Sequence, residues 1–98
     1  MEARYRMSLV TPLSDLEIEI LRAAFHDGTM RVQEGAILLL RTNITFRGVD
    51  STRAFRSLRA RNYLKWNGHS VSGGELYALT EEGRTAFLSL SQNPGSAG

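Results

Sequence analysis

The chain changes its period after Asn62. Upstream, apolar residues recur at helical spacing; downstream, Tyr63–Trp66 and Glu75–Leu79 read as two extended segments. Between them lies NGHSVSGG, in which Gly68, Gly73 and Gly74 permit the chain to reverse. Thr80 then stands where a helix cap belongs, with Glu81 and Glu82 suited to the positive end of a helix dipole and Ala86, Phe87 and Leu90 forming its apolar side. A hairpin bracketed by helices restricts a 98-residue chain to one mixed domain, since a chain this size fills a single core.

Before the switch, the strongest local signal is Ser14 followed three residues later by Glu17, a capping box ahead of an apolar stripe. It predicts a helix over Leu16–His26, with Leu13 and Ile18 as a hydrophobic staple, Ile20, Leu21, Ala24 and Phe25 facing inward and Gly28 as its stop. Thr29–Val32 leaves room for a short strand. Ala36, Ile37, Leu39 and Leu40 suggest a second helix over Gln33–Arg41, and Asn43–Val49 reads as a turn anchored by Ile44, Phe46 and Val49. Asp50 or Ser51 would cap a third helix reaching Arg61, with Ala54, Phe55 and Leu58 on one face. The expected organisation is an arm over 1–12, a folded domain over 13–90 and a disordered tail over 91–98. The expected fold class is α+β: a three-helix core, a small antiparallel wing and a C-terminal helix.

Two stretches resemble the winged helix-turn-helix domains of bacterial regulators, the broad group of MarR-, PadR- and ArsR-like repressors. Ser57-Leu58-Arg59-Ala60-Arg61-Asn62-Tyr63-Leu64 is similar to the end of a recognition helix leading into a wing, with Asn62 where glycine is common. Leu76-Tyr77-Ala78-Leu79-Thr80-Glu81-Glu82-Gly83-Arg84 resembles the stretch that leaves the wing and opens the next helix. The turn TNITFRGVD is longer than in most such domains, and the long terminal helices through which MarR-like proteins dimerise have no counterpart here.

Charge distribution points the same way. Between Arg41 and Lys65 there are seven basic residues and one acid, Asp50, a net of +6, which leaves the rest of the chain at −4. Such segregation suits a polyanion partner, and eleven of the twelve basic residues are arginine, matched to phosphate and base edges. The resemblance implies a sequence-specific double-stranded DNA-binding regulator, a repressor by analogy, of prokaryotic or phage type. It would be cytoplasmic and nucleoid-associated, and a homodimer through the N-terminal arm or the C-terminal helix.

Helix 51–61 would then enter the major groove, with Ser51 at its head and Thr52, Arg53, Arg56 and Ser57 reading bases. Arg41, Arg47 and Arg59 would hold phosphates, and the wing 66–75 would lie along the backbone or minor groove through Asn67, His69 and Ser70, with Lys65 at its base. Tyr63 and Trp66 at the base of the wing are candidate stacking platforms for bases, and His69 a candidate phosphate contact or pH sensor; the bland alternatives are a solvated arginine face, aromatics at Tyr63 and Trp66 that pack in the core, an exposed loop histidine at His69 and a helix-end histidine at His26. Two other functions fit the same residues: an interaction module whose arginines meet an acidic protein, and an architectural DNA binder of low specificity.

Other classes find little support in the residues. There is no nucleophile elbow, phosphate-cradling loop or zinc-protease helix, so no enzyme is expected. With no cysteine and two distant histidines, neither metal nor cofactor is expected. The longest apolar run, Ala36–Leu40, falls far short of the roughly 20 residues of a membrane span, and MEARYRMSLVTP has no signal-peptide core.

Overall fold

The computed structural model describes residues 12–92; of the expected arm over 1–12 and disordered tail over 91–98, residues 1–11 and 93–98 lie outside the described residues, whereas Ser91 and Gln92 continue the last helix instead of joining a tail. The element order is α1 (Asp15–Asp27), β1 (Met30–Gln33), β2 (Ala36–Leu39), β3 (Thr45–Arg47), α2 (Val49–Ala60), β4 (Leu64–His69), β5 (Glu75–Leu79) and α3 (Glu81–Gln92). The five strands form one antiparallel sheet in the order β3-β2-β1-β5-β4. The fold class is therefore α+β, with three helices and five strands among the described residues.

Helix α1 begins as its sequence predicts. The Ser14 hydroxyl accepts the Glu17 N–H at 3.1 Å, and the Glu17 carboxylate accepts the Ser14 N–H at 2.7 Å, satisfying two donors that a helix start otherwise leaves open. At the other end the Gly28 N–H returns to the Ala24 carbonyl. Its last residue, Asp27, is only 4% exposed. That carboxylate accepts the Arg41 N–H (2.8 Å), the Thr42 N–H (2.9 Å) and the Thr42 hydroxyl (3.2 Å), which pins the turn after β2 to the end of α1.

The second helix expected over Gln33–Arg41 does not form; β1 and β2 make a hairpin there. Glu34 and Gly35 both adopt positive φ (51° and 79°), as a two-residue turn of the type favoured in hairpins requires. Strand β2 lies between β1 and β3, with Ile37 and Leu39 in the core and Ala36 and Leu38 on the opposite face. Over five residues an apolar run without alternation cannot be told from a helix face by its period. Leu40, which a helix would bury, is exposed. The expected turn over Asn43–Val49 contains strand β3, and of its three anchors only Phe46 packs against the core; Ile44 and Val49 are exposed.

Helix α2 starts at Val49 behind Gly48, so neither Asp50 nor Ser51 is its cap, and no side chain caps its first turn. It ends as expected at Asn62, whose φ of 66° lets the Tyr63 N–H reach back to the Leu58 carbonyl at 2.9 Å. Strand β4 runs on to His69, farther than the sequence suggests, with an irregularity between Trp66 and His69. Thr80 caps α3, its hydroxyl oxygen accepting the Gly83 N–H at 2.9 Å while donating to the Asn62 carbonyl at 2.6 Å. Ile20 and Ala24 of α1 and Ala54, Phe55 and Leu58 of α2 meet Met30, Ile37, Leu39, Leu64 and Tyr77 of the sheet in one core. Phe87 of α3 stacks on Phe25 of α1 at 4.6 Å.

Candidate nucleic-acid interface

Helix α2 leaves the sheet at the β3 edge and returns to it at the β4 edge, so it crosses all five strands. Its 12 residues span about 18 Å, close to the width of such a sheet. Ser51, Ala54, Phe55 and Leu58 are buried beneath it. At 100° per residue the opposite surface falls to Val49, Arg53, Arg56 and Ala60, all exposed.

Arg47 at the end of β3 joins this surface. With Thr52, Arg53 and Arg56, and with Glu34 and Gly35 of the β1–β2 turn, it lines an open groove of about 550 Å³ over the start of α2. The first backbone N–H groups of α2 have no side-chain cap, and the helix dipole places partial positive charge there. Three guanidinium groups and a helix N-terminus against one carboxylate make the groove a receptor for an anion of extended shape.

The structure separates the remaining candidates. Ser51 is 5% exposed and points inward. Ser57 faces α1, where it hydrogen-bonds Glu17; burial would push the Glu17 carboxyl up, but the bonds from Ser57 and Ser14 together with the Arg61 charge outweigh it and hold the group below its ordinary value. Arg41 lies past the end of β2 away from the groove, its N–H on Asp27. Lys65 pairs with Ala78 on the sheet face opposite α2, and Asn67 is exposed in the irregular stretch of β4. Ser70 belongs to the hairpin loop, where its N–H meets the Gly74 carbonyl and its hydroxyl the Ser72 N–H.

A second patch flanks the far end of α2. The Arg59 guanidinium sits 4.9 Å from the Tyr77 ring centre, and Tyr77 in turn packs edge-on against Phe55 and donates its hydroxyl to Glu75 at 3.2 Å. Burial, with help from Glu75 and against the Arg59 charge, raises the phenol further, so it stays a neutral donor. Directly across from Tyr77 stands Trp66, expected in the core but 51% exposed. Its strand is the sheet edge, and only Leu64, two residues earlier on the same face, is buried in the core. His69 meets it in a T-shaped contact at 5.3 Å. Tyr63 is half-buried against the core, as the sequence suggests.

Glu34 and Gly35 were absent from the expected site; a glycine between two short apolar segments is the signal that marks them. His26, in the last turn of α1, meets the rings of Phe25 and Phe87 edge-on. Among the described residues no group of three or more His, Cys, Asp or Glu is placed to hold a metal ion, and no helix is long and apolar enough to cross a membrane. No protein-family model, curated protein or solved structure matches this chain.

Proposed function

We propose that this chain binds double-stranded DNA through the outward face of α2 and acts as a regulator by occupying an operator. The observation that carries the reading is the gathering of Arg47, Thr52, Arg53 and Arg56 around the uncapped start of α2. Arg53 and Arg56, one helical turn apart, address base edges in a major groove about 12 Å wide. Arg47 and the open helix N-terminus take phosphates. The hairpin β4–β5 serves as the wing, with His69 and Ser70 at its far end. Its pairing with the short strand β1, and the helix that follows it, support a relation to winged-helix domains. The hairpin β1–β2 stands in this relation where such domains carry the helix before the recognition helix. A homodimer would present two such faces to a pseudo-palindromic site.

A second reading, docking of the arginine face on an acidic protein, draws support from Glu34, which shares the groove and would repel a phosphate chain. Salt separates the two. Fluorescence anisotropy of a random-sequence duplex between about 50 and 200 mM salt should show log affinity falling linearly with log salt, at about 0.9 per phosphate contact. Arg47→Ala should lower that slope by about one contact. The pair Arg53→Ala and Arg56→Ala should weaken binding at least tenfold, each arginine being worth roughly 1–3 kcal/mol at a cognate guanine and less elsewhere. Absence of duplex binding at the lowest salt rejects the DNA reading and favours the acidic protein.

A further inference from the structure

We propose that Trp66 is a stacking platform for an unpaired base of single-stranded DNA, and that Arg59 and Arg56 carry the phosphate chain of that strand from the groove to it. The proposal rests on the reading that the arginine face of α2 meets DNA, and extends it to a strand that has left the duplex.

Trp66 is the only tryptophan of the chain and half of it is open to solvent. A large ring exposed on an edge strand loses the apolar burial that ordinarily holds it. The T-shaped contact with His69 orients the ring yet covers at most one of its two faces. The neighbour across the strand pair, the buried Tyr77, lies under the Arg59 guanidinium, so a cation stands near the exposed indole. Arg53, Arg56 and Arg59 follow one another at three-residue intervals, about 4.5 Å apart along the axis. They form a basic track from the groove at the start of α2 to the aromatic patch at its end. Of the nearby acids, Glu34 lines the groove at the start of the track, Asp50 lines a neighbouring groove with Arg53 and residues of α1, and Glu75 accepts the Tyr77 hydroxyl.

A positive track beside an exposed ring is the chemistry of a single-strand grip, where backbone charge supplies affinity and the π-face takes a base. A closed duplex offers base edges but no base faces along its grooves, so stacking here requires an unpaired nucleotide. The strand is taken as DNA because the proposal rests on the reading that the same face meets duplex DNA.

Because one tryptophan supplies all the indole emission, the full chain reports directly on this contact. It is titrated with oligothymidylate of about twelve nucleotides, within the span of one single-strand site. The comparison probes are an abasic strand of the same length, the corresponding oligouridylate and a duplex. Oligothymidylate should quench the emission saturably, and the abasic strand should bind more weakly and leave it unchanged. Trp66→Ala should weaken oligothymidylate binding by about 5- to 150-fold, and Trp66→Phe should restore most of it. Thermal melting of both variants checks that the exposed position leaves the fold intact. Unchanged emission, or Trp66→Ala binding as tightly as the parent, overturns the proposal; if duplex binding then persists with its salt slope, the broader DNA reading stands. Equal affinity for oligouridylate overturns the choice of DNA. If neither strand nor duplex binds, both readings fall together.

Discussion

Glu17 carries three duties with one carboxylate. It completes the cap of α1, hydrogen-bonds Ser57 of α2 and feels the charge of Arg61. These contacts favour its ionised form enough to outweigh the burial that opposes it, so its folded value lies below the ordinary 4.5. A carboxyl depressed in the folded state adds stability that is fully present above the ordinary value and is lost as the pH falls through the folded one. Denaturant unfolding should therefore show the parent losing stability below about pH 4.5 more steeply than Glu17→Gln. The amide keeps the capping acceptor and removes only the charge, so equal acid sensitivity in both would assign the loss to other carboxylates. Trp66 makes a different point at this scale. Its neighbours in sequence are unremarkable for a core strand, and only its place on the edge strand, past the buried Leu64, exposes it.

Among the elements, the hairpin β1–β2 departs furthest from the sequence reading, and one substitution separates the alternatives by sign. Gly35 has φ of 79°, and a Cβ added there meets nothing within 4 Å. Gly35→Ala thus tests backbone conformation alone. In the hairpin turn it should destabilise by roughly 1–2 kcal/mol, the cost of a left-handed L-residue. Within a helix the same change would stabilise by about 1 kcal/mol. Chemical denaturation of the variant reads the sign directly. Helix α2 shows the converse: its span was legible to within two residues because Ala54, Phe55 and Leu58 repeat at helical spacing. Its cap was not legible, because the chain passes from β3 into the helix through Gly48 with no side-chain acceptor.

The molecule as a whole is closed by α3, and the closure depends on a missing side chain. A Cβ on Gly83 would run into the Tyr63 carbonyl and the Leu79 side chain, so α3 approaches the end of β5 and the start of β4 more closely than any other residue permits. Thr80 and Tyr63 are joined at the same place by a backbone hydrogen bond of 3.0 Å. Gly83→Ala should raise the intrinsic helicity of α3 yet lower the melting temperature, by roughly 4–8 °C for each kcal/mol lost in a domain of this size. A higher melting temperature would show that α3 can step away from the sheet without cost to the core.

Four of the helix ends were decided by the sequence itself. Ser14 with Glu17, Gly28, Asn62 and Thr80 all act where local reasoning puts them, because a cap is a hydrogen bond or a backbone angle settled within about four residues. The sheet hairpin β4–β5 was legible for the same reason, from its glycines and its flanking strands. Three features belong to the tertiary structure alone. Ala36–Leu39 became a strand because β1 and β3 lie on either side of it and the helix layer covers one of its faces. Arg47 came to share a groove with Arg53 and Arg56, while Ser51 and Ser57 turned inward, because α2 crosses the sheet at one particular rotation. Trp66 reached solvent because it lies on the edge strand β4, past the stretch whose Leu64 the core covers. In each case the deciding free energy is the covering of a surface by residues remote in the chain, and local spacing carries no record of which surface will be covered.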